Sequence, residues 1–522
     1  MKKLLFRTLL IGLLVPLWIF LRSVYRDRIG AFGCFDDCFN YMGGYFLLHG
    51  KHLYSQIFFN HQPIPAYLSA LIQYFTKPDG IYLLIYHHRM FIVYFSMIAD
   101  ALLVLRFGLV GFGFALLYES TKGFLFGEHF LAEAMIVYPL VYLLGMSCHS
   151  RESGNPSLIK TGSPIRSGMT EKVDLLLAAI FTWFIVFSRE PYVPLALVMF
   201  GYLLWKHRNN KVSKISLGIF LLLSVITIGL HSLPDYFFNI VTVNASRPGS
   251  EGNFWSMIFY PVSVFFGGQW NLFRWIEVAL AILFWILIIL HKRSPRRQNG
   301  LAMTKIVLLF FFLTLANIRP VSPGAIYYAA FHHLQWYGLF IMSVLLLIGD
   351  TLKTKRFFGI LGIFGFLGIS VWAIFSPQSY LHDKVDRHAE FTTNFDRIFV
   401  VGGIVKALSN PNDTLFLDEW DDLIYFQAHR YSPYKYSWYT SSMSQFVRYR
   451  QAHDDMFAKT PPTFYYGKCA KDVAQSFPRM EEYVRLMTSK APTCVFVLRQ
   501  KLAEITEGQW KQAKEKLDII KP

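Results

Sequence analysis

Two adjacent carboxylates, Asp36 and Asp37, follow the first apolar run of the chain and open the stretch FDDCFNYMGGYFLLHGKHLYSQIFFNHQP at residues 35 to 63. A positioned carboxylate can take the proton of an attacking hydroxyl, and a carboxylate pair or bound metals can serve the same chemistry. If the two side chains converge, mutual repulsion raises one of their pKa values. The plainer reading of Asp36 is an N-cap on a short interfacial helix. A second acidic group lies in GEHFLAEAM, where Glu128 is close to His129 and Glu133, two residues four apart that would share a helix face. Acids favoured by the positive end of a helix are the structural alternative there.

Cations that could balance a departing anion are few near these acids. Arg89 begins an apolar segment, Arg189 sits in the break SREP, and Arg319 lies in NIRPVSPGAIYYAAFHHLQWYG together with His332 and His333. A charge at the centre of a membrane helix costs roughly 2.5–3.5 kcal/mol, so such residues usually have a partner. For Arg89 and Arg189 the simpler reading is snorkelling, or pairing with Glu190. For His332 and His333 it is an interfacial pair with no ligand.

The elements that must hold these groups are membrane helices. Of 522 residues, 54% are hydrophobic and only 16% charged, against roughly 25% charged in soluble domains. The 50 Phe, 29 Tyr and 12 Trp suit aromatic girdles at two bilayer interfaces. The formal charge of +17 comes from Lys and Arg in short runs between apolar segments, which is the positive-inside pattern and argues against nucleic acid as a partner. Five cysteines are too few for a disulfide scaffold. Cys34 with Cys38, or Cys469 with Cys494, could bridge in an oxidising compartment; five free thiols is the reading preferred here.

A first helix at residues 4 to 21, with Lys2, Lys3 and Arg7 inside, puts the acidic loop (22–87) outside. Residues 64 to 76 are too short to span and predict a helix at the interface. Further spans are predicted at 88–106, 107–126, 127–146, 173–188, 191–205, 215–233, 274–290, 306–318, 336–350 and 357–375. With about eleven spans, every basic cluster falls in the cytoplasm and the C-terminus outside. Residues 147 to 172 turn abruptly polar and resemble a translated palindromic repeat inserted into a cytoplasmic loop. From 376 to 522 the chain reads as a small α/β domain with a partly parallel sheet, its strands at 414–418, 463–467 and 493–498. The fold class is therefore an α-helical polytopic membrane protein (residues 1–375) with a C-terminal extracytoplasmic α/β domain.

The acidic pair, Tyr41, the step from Gly50 to Tyr54, and Pro63 resemble the first extracytoplasmic loop of the GT-C superfamily, membrane glycosyltransferases that use a polyprenyl-phosphate-linked sugar. The chain is similar in this to the protein mannosyltransferase and aminoarabinose transferase families. One departure is Asp37, where Glu is commoner. The resemblance implies a donor of polyprenyl-phosphate-sugar, an acceptor that is a lipid, glycan or protein, and a site on the outer side of the cytoplasmic membrane. It implies Asp36 as catalytic base with Asp37 beside it, and Arg319 at the donor phosphate with His332 and His333 as helpers. Glu128, His129 and Glu133 stand where some relatives keep a second carboxylate that holds a divalent metal or orients the acceptor; no cofactor is certain. The alternative class is a transporter of a lipid-linked sugar. It shares the spans and basic loops and draws on Asp100 inside a span, but the chain has no internal repeat.

Overall fold

The structure is a computed structural model and describes residues 2–34, 36–148, 165–246, 271–292, 299–316, 330–418, 422–467, 469–470 and 473–522. Its first half is almost wholly helical: α1 (Lys2–Asp27), α2 (Asp36–Leu48), α3 (Ile64–Thr76), α4 (Ile81–Phe107), α5 (Leu109–Thr121), α6 (Ala132–Cys148), α7 (Ile165–Val186), α8 (Val193–Lys206) and α9 (Lys211–Gly229). A short α10 (Leu233–Phe237) continues as a π-helical turn, Phe238–Val243. Then come α11 (Leu272–Lys292), α12 (Asn299–Leu315), α13 (Leu334–Thr354), α14 (Arg356–Phe375) and α15 (Arg387–Leu408). Two compact units emerge, each discontinuous in sequence. One comprises Met1–Asp27, Arg89–Gly229 and Pro248–Lys384; the other comprises Arg28–His88, Leu230–Arg247 and Val385–Pro522.

The first unit is a helical bundle. Among the described residues six stretches are long and apolar enough to cross a bilayer: Lys2–Asp27, Ile81–Phe107, Lys211–Gly229, Leu272–Leu290, Ala330–Thr354 and Arg356–His382. Helices satisfy their own backbone groups, which lipid cannot do for them. Large apolar side chains stay exposed on α9 (Leu222, Val225) and α14 (Phe357, Phe364), a surface that suits hydrocarbon and would be costly in water. By contrast α13 is buried along most of its length. Its Gly338 is what lets α6 come close, because a Cβ there would lie 2.5 Å from Val137 Cγ1.

Three predicted segments change, one of them the span expected at 191–205, which is the 14-residue α8, about 21 Å long. The span expected at 107–126 is the 13-residue α5, set off from α4 by Gly108 with φ of +61°. At 1.5 Å per residue it reaches about 20 Å, short of the roughly 30 Å of a hydrocarbon core. The span expected at 127–146 starts later, as α6 at Ala132, because a 3₁₀ turn at Lys122–Leu125 and Phe126 in the left-handed region reverse the chain first. The expected insertion at 147–172 lies outside the described residues from 149 to 164. Its flanks are helical, since α6 runs to Cys148 and α7 begins at Ile165, with only Gly168 to disfavour helix over 165–172.

In the second unit α3 spans the range predicted for the interfacial helix, and α2 packs on it. Gly44 permits that approach: a Cβ there would meet the Ala70 backbone nitrogen at 2.5 Å. The C-terminal part carries β1 (Leu415–Asp418), β2 (Phe464–Gly467), a small hairpin of β3 (Cys469–Ala470) and β4 (Val473–Ala474), β5 (Tyr483–Thr488), β6 (Pro492–Leu498) and β7 (Ile519–Ile520). The main sheet has order β1-β2-β6-β5-β7. Only the β1–β2 pair is parallel, Leu415 opposite Phe464 and Leu417 opposite Tyr466. The predicted strands are thus β1, β2 and β6, and the sheet is partly parallel as expected. Helices α16 (Leu423–Ala428), α17 (Val447–Lys459), α18 (Arg499–Leu502) and α19 (Glu507–Leu517) complete it. Both cysteine pairs, Cys34–Cys38 and Cys469–Cys494, are disulfides of this unit, and Cys148 is a buried thiol. The preference for five free thiols is therefore corrected.

Gly338 and Gly349 share α13, but nothing lies within 4 Å of a Cβ built on Gly349. Gly338→Ala should cost about 1–3 kcal/mol through overpacking, whereas Gly349→Ala should be neutral or gain up to about 1 kcal/mol from helix propensity. Unfolding of the two variants in the same detergent measures the contrast.

Candidate functional site

Asp36 is the first residue of α2, where the positive end of the helix favours an acid. Its Oδ2 lies 3.5 Å from His61 Nε2, and its side chain is 37% exposed against 7% for the histidine. His61 is fixed from several sides. Its ring packs edge-on against Phe39 and Phe59, and its carbonyl accepts the Tyr54 hydroxyl at 2.9 Å. The Gly50-to-Tyr54 step earns its place here, because both residues take positive φ, +79° and +70°, as the loop turns back.

Asp37 has other surroundings. Adjacent helix residues point about 100° apart, and this carboxylate is fully buried, accepting from Tyr41 Oη at 3.1 Å and from the Cys38 backbone nitrogen at 3.0 Å. Tyr41 is in turn locked to α3, its carbonyl accepting Gln73 Nε2 at 2.8 Å and its ring lying against His88. His88 Nε2 meets Ser69 Oγ at 2.8 Å. The predicted acidic pair therefore divides into a reachable carboxylate beside a histidine and an interior one that braces the helix pair.

The same unit ties the loop down with amides and rings. Asn60 and Asn244 exchange hydrogen bonds, Asn60 Nδ2 to Asn244 Oδ1 and Asn244 Nδ2 to Asn60 O, both at 2.9 Å. Tyr236 Oη donates to Gln62 Oε1, and Tyr449 Oη donates to Asn239 Oδ1. Arg448 pairs with Asp235, and Lys51 Nζ donates to Ser437 Oγ at 3.0 Å. Burial pushes the Lys51 ammonium down to about 8.

The bundle unit holds the other predicted residues that the structure describes. Glu133, in the first turn of α6, is buried and its Oε1 takes Arg189 Nε at 2.7 Å and His332 Nδ1 at 3.0 Å. Arg189 was expected to snorkel or pair with Glu190. It stands instead in extended backbone at a helix break, where successive side chains diverge, and reaches Glu133. His333 Nε2 meets Glu277 Oε1 at 2.5 Å, both buried. His129 lies ahead of α6 rather than on it, so the shared helix face with Glu133 is not formed; it is buried against Phe126. Glu128 is buried as well. Arg319 lies outside the described residues. Asp100 sits in a third buried group, with Glu119 and Lys122 as charged neighbours; Lys122 Nζ bonds Glu119 at 2.7 Å, Ser96 Oγ at 2.6 Å and Tyr138 Oη at 3.1 Å. Among the described residues no three His, Cys, Asp or Glu side chains gather as a metal set.

Sequence reasoning missed His61, Glu277 and Tyr192, whose hydroxyl bonds Gln335 Oε1 at 2.8 Å and the His332 carbonyl at 3.1 Å. Glu277 had a signal, an acid inside an apolar run. His61 had only its place before Pro63.

Removing one member of a buried ion pair strands the other. Glu133→Ala should destabilise by about 3–5 kcal/mol, and adding Arg189→Met should recover part of that loss. Unfolding midpoints of the two variants decide it: no recovery means that the pair is not coupled.

No known family profile matches the chain, and no curated protein sequence does. Among solved structures the chain is similar to ArnT from Cupriavidus metallidurans, crystallised bound to undecaprenyl phosphate, at 12% identity and a TM-score of 0.50 over 87% of this chain and 92% of that one. That likeness is one of fold: this chain shares the fold of that ArnT structure over 87% of its length.

Proposed function

We propose that the chain is a membrane glycosyltransferase that moves a sugar from a polyprenyl-phosphate carrier to an acceptor hydroxyl or amine on the outer side of the cytoplasmic membrane. The observation that carries the reading is the likeness, over 87% of the chain, to a protein crystallised with undecaprenyl phosphate. Asp36 adds the chemistry, as an accessible carboxylate at a fixed place. In this mechanism the acceptor oxygen gives its proton to Asp36 while it bonds the anomeric carbon, and the carbon–oxygen bond to phosphate breaks. The leaving polyprenyl phosphate keeps the electron pair. Arg319 offsets its charge, and His332 and His333 assist through their carboxylate partners Glu133 and Glu277. His61 orients Asp36, and Asp37 holds the helix that carries it.

An N-terminus inside and a C-terminal domain outside give the sidedness that this chemistry needs, and about eleven spans keep that parity provided α5 and α8, each short of a full span by itself, cross together with the 3₁₀ turns beside them. Support comes from the two disulfides of the second unit, since such bonds persist in oxidising compartments. Nothing observed favours the transporter, whose main residue, Asp100, has a buried cation, Lys122, among its charged neighbours.

A positioned base typically contributes roughly 10²–10⁴ in rate. Asp36→Asn keeps size but cannot take a proton, so transfer should fall at least about a hundredfold with folding and donor binding preserved, and less for Asp37→Asn. Near-normal turnover by Asp36→Asn would reject it as the base. Sidedness has its own check: a reporter fused after Pro522 should be active only outside the cytoplasm, and cytoplasmic activity would overturn the span count.

A further inference from the structure

Cys34 and Cys38 stand four residues apart, and the ring that their disulfide closes holds Asp36 and Asp37. A bridge stabilises a fold by constraining the unfolded chain, and more so the longer the loop it closes. This one closes very little chain, whereas Cys469 and Cys494 are 25 residues apart. Its effect is therefore local, and what lies within it is the carboxylate read above as the base.

The chain is anchored on both sides of this ring. Upstream, Gly30 lies so close to α15 that a Cβ there would meet Phe391 Cα at 2.8 Å, and its carbonyl accepts Asn394 Nδ2 at 2.8 Å. Phe32 and Gly33 then take the left-handed region, at φ of +61° and +66°. A phenylalanine keeps that conformation where its surroundings hold it there. Downstream, the Tyr41 carbonyl is tied to Gln73 of α3. Between these anchors comes the first turn of α2, and a first turn is where backbone N–H groups lack helical partners and helices fray. Asp36 opens that turn. Its side chain is 37% exposed and lies 3.5 Å from His61, so packing does little to hold it and its place depends on the backbone beneath it. The bridge ties that backbone down, from Cys38, buried in α2, to Cys34, exposed just ahead of it.

We propose that the Cys34–Cys38 disulfide is the positioning element of Asp36, so that sugar transfer requires this bridge to be oxidised. The inference rests on the reading of Asp36 as the base. A dithiol reductant attacks as its thiolate at Cys34, the exposed partner; the S–S bond breaks, and Cys38 leaves as a thiolate that takes a proton. The second reductant thiol then displaces Cys34, so two electrons and two protons reach the cysteines and the reductant becomes a cyclic disulfide. With the ring open the first turn frays, and Asp36 loses its fixed distance from His61.

The test uses the full-length chain carrying Cys469→Ser and Cys494→Ser, which should transfer like the wild type and leaves Cys34–Cys38 as the bridge to be reduced. Dithiothreitol, its action verified by the mass of maleimide adducts, should lower kcat by roughly ten- to a hundredfold, the scale of a misplacement of about 1 Å, with KM for a polyprenyl-phosphate-linked sugar and the unfolding midpoint little changed. Reoxidation by oxidised glutathione should restore kcat. The variant Cys34→Ser, Cys38→Ser in the wild-type chain should show the lowered kcat and ignore the reductant; it carries the comparison if the first variant does not fold. Hydrogen exchange should quicken in the first turn of α2 and stay unchanged in α3. Unchanged kcat after verified reduction would overturn the inference. So would a collapse of the unfolding midpoint together with loss of donor binding, the mark of a bridge that merely stabilises the fold. If no form of the protein transfers sugar, the functional reading fails and hydrogen exchange decides the placement of Asp36 by itself: faster exchange confined to that turn upholds it, and exchange unaltered by reduction overturns it.

Discussion

Charges inside an apolar bundle must find partners there, because neither lipid nor the packed interior solvates them. That requirement explains the polar interior of the first unit. Glu133 gathers Arg189 and His332, Glu277 takes His333, Glu119 takes Lys122, and Asp174 accepts from Arg106 at 2.8 Å and Tyr142 at 2.7 Å. Each contact joins elements far apart in sequence or closes a helix break. Helices whose outer faces are plain hydrocarbon could slide or rotate against one another; these pairs fix their register, while Gly338 sets how near α13 and α6 come.

The second unit meets a different constraint, that of holding an irregular loop still. From Gly50 to Pro63 the chain has little secondary structure of its own. It is fixed by amide and hydroxyl contacts through Asn60, Gln62 and Tyr54, and by aromatic packing around Phe39 and Phe59. The outcome is an accessible acid, Asp36, whose neighbour Asp37 is withdrawn into the helix pair. Two identical side chains thus come to different environments through the angle of one helical residue step.

Much of this was legible in the sequence. The long apolar runs gave helices α4, α9, α11, α13 and α14, α3 matched its predicted range, and β1, β2 and β6 were read from short apolar runs. What failed was local. Phe126, a non-glycine residue at positive φ, carries no sequence mark, so the turn before α6 was read as helix and His129 was placed beside Glu133. Arg189 was assigned to its sequence neighbour Glu190, because pairing across 56 residues leaves no trace in one sequence. The Asp36–His61 contact depends in the same way on how the loop closes. The disulfides were undecidable from spacing alone, since bridging depends on the compartment and on geometry.

The central claim is that this fold cleaves the bond between a sugar and a lipid phosphate. The most direct measurement is whether the purified protein, given a panel of polyprenyl-phosphate-linked sugars and candidate acceptors, releases free polyprenyl phosphate. The account expects release from at least one donor, matched mole for mole by sugar on the acceptor. Intact donors throughout the panel, together with movement of a lipid-linked sugar across a sealed bilayer, would contradict it and make the protein a transporter.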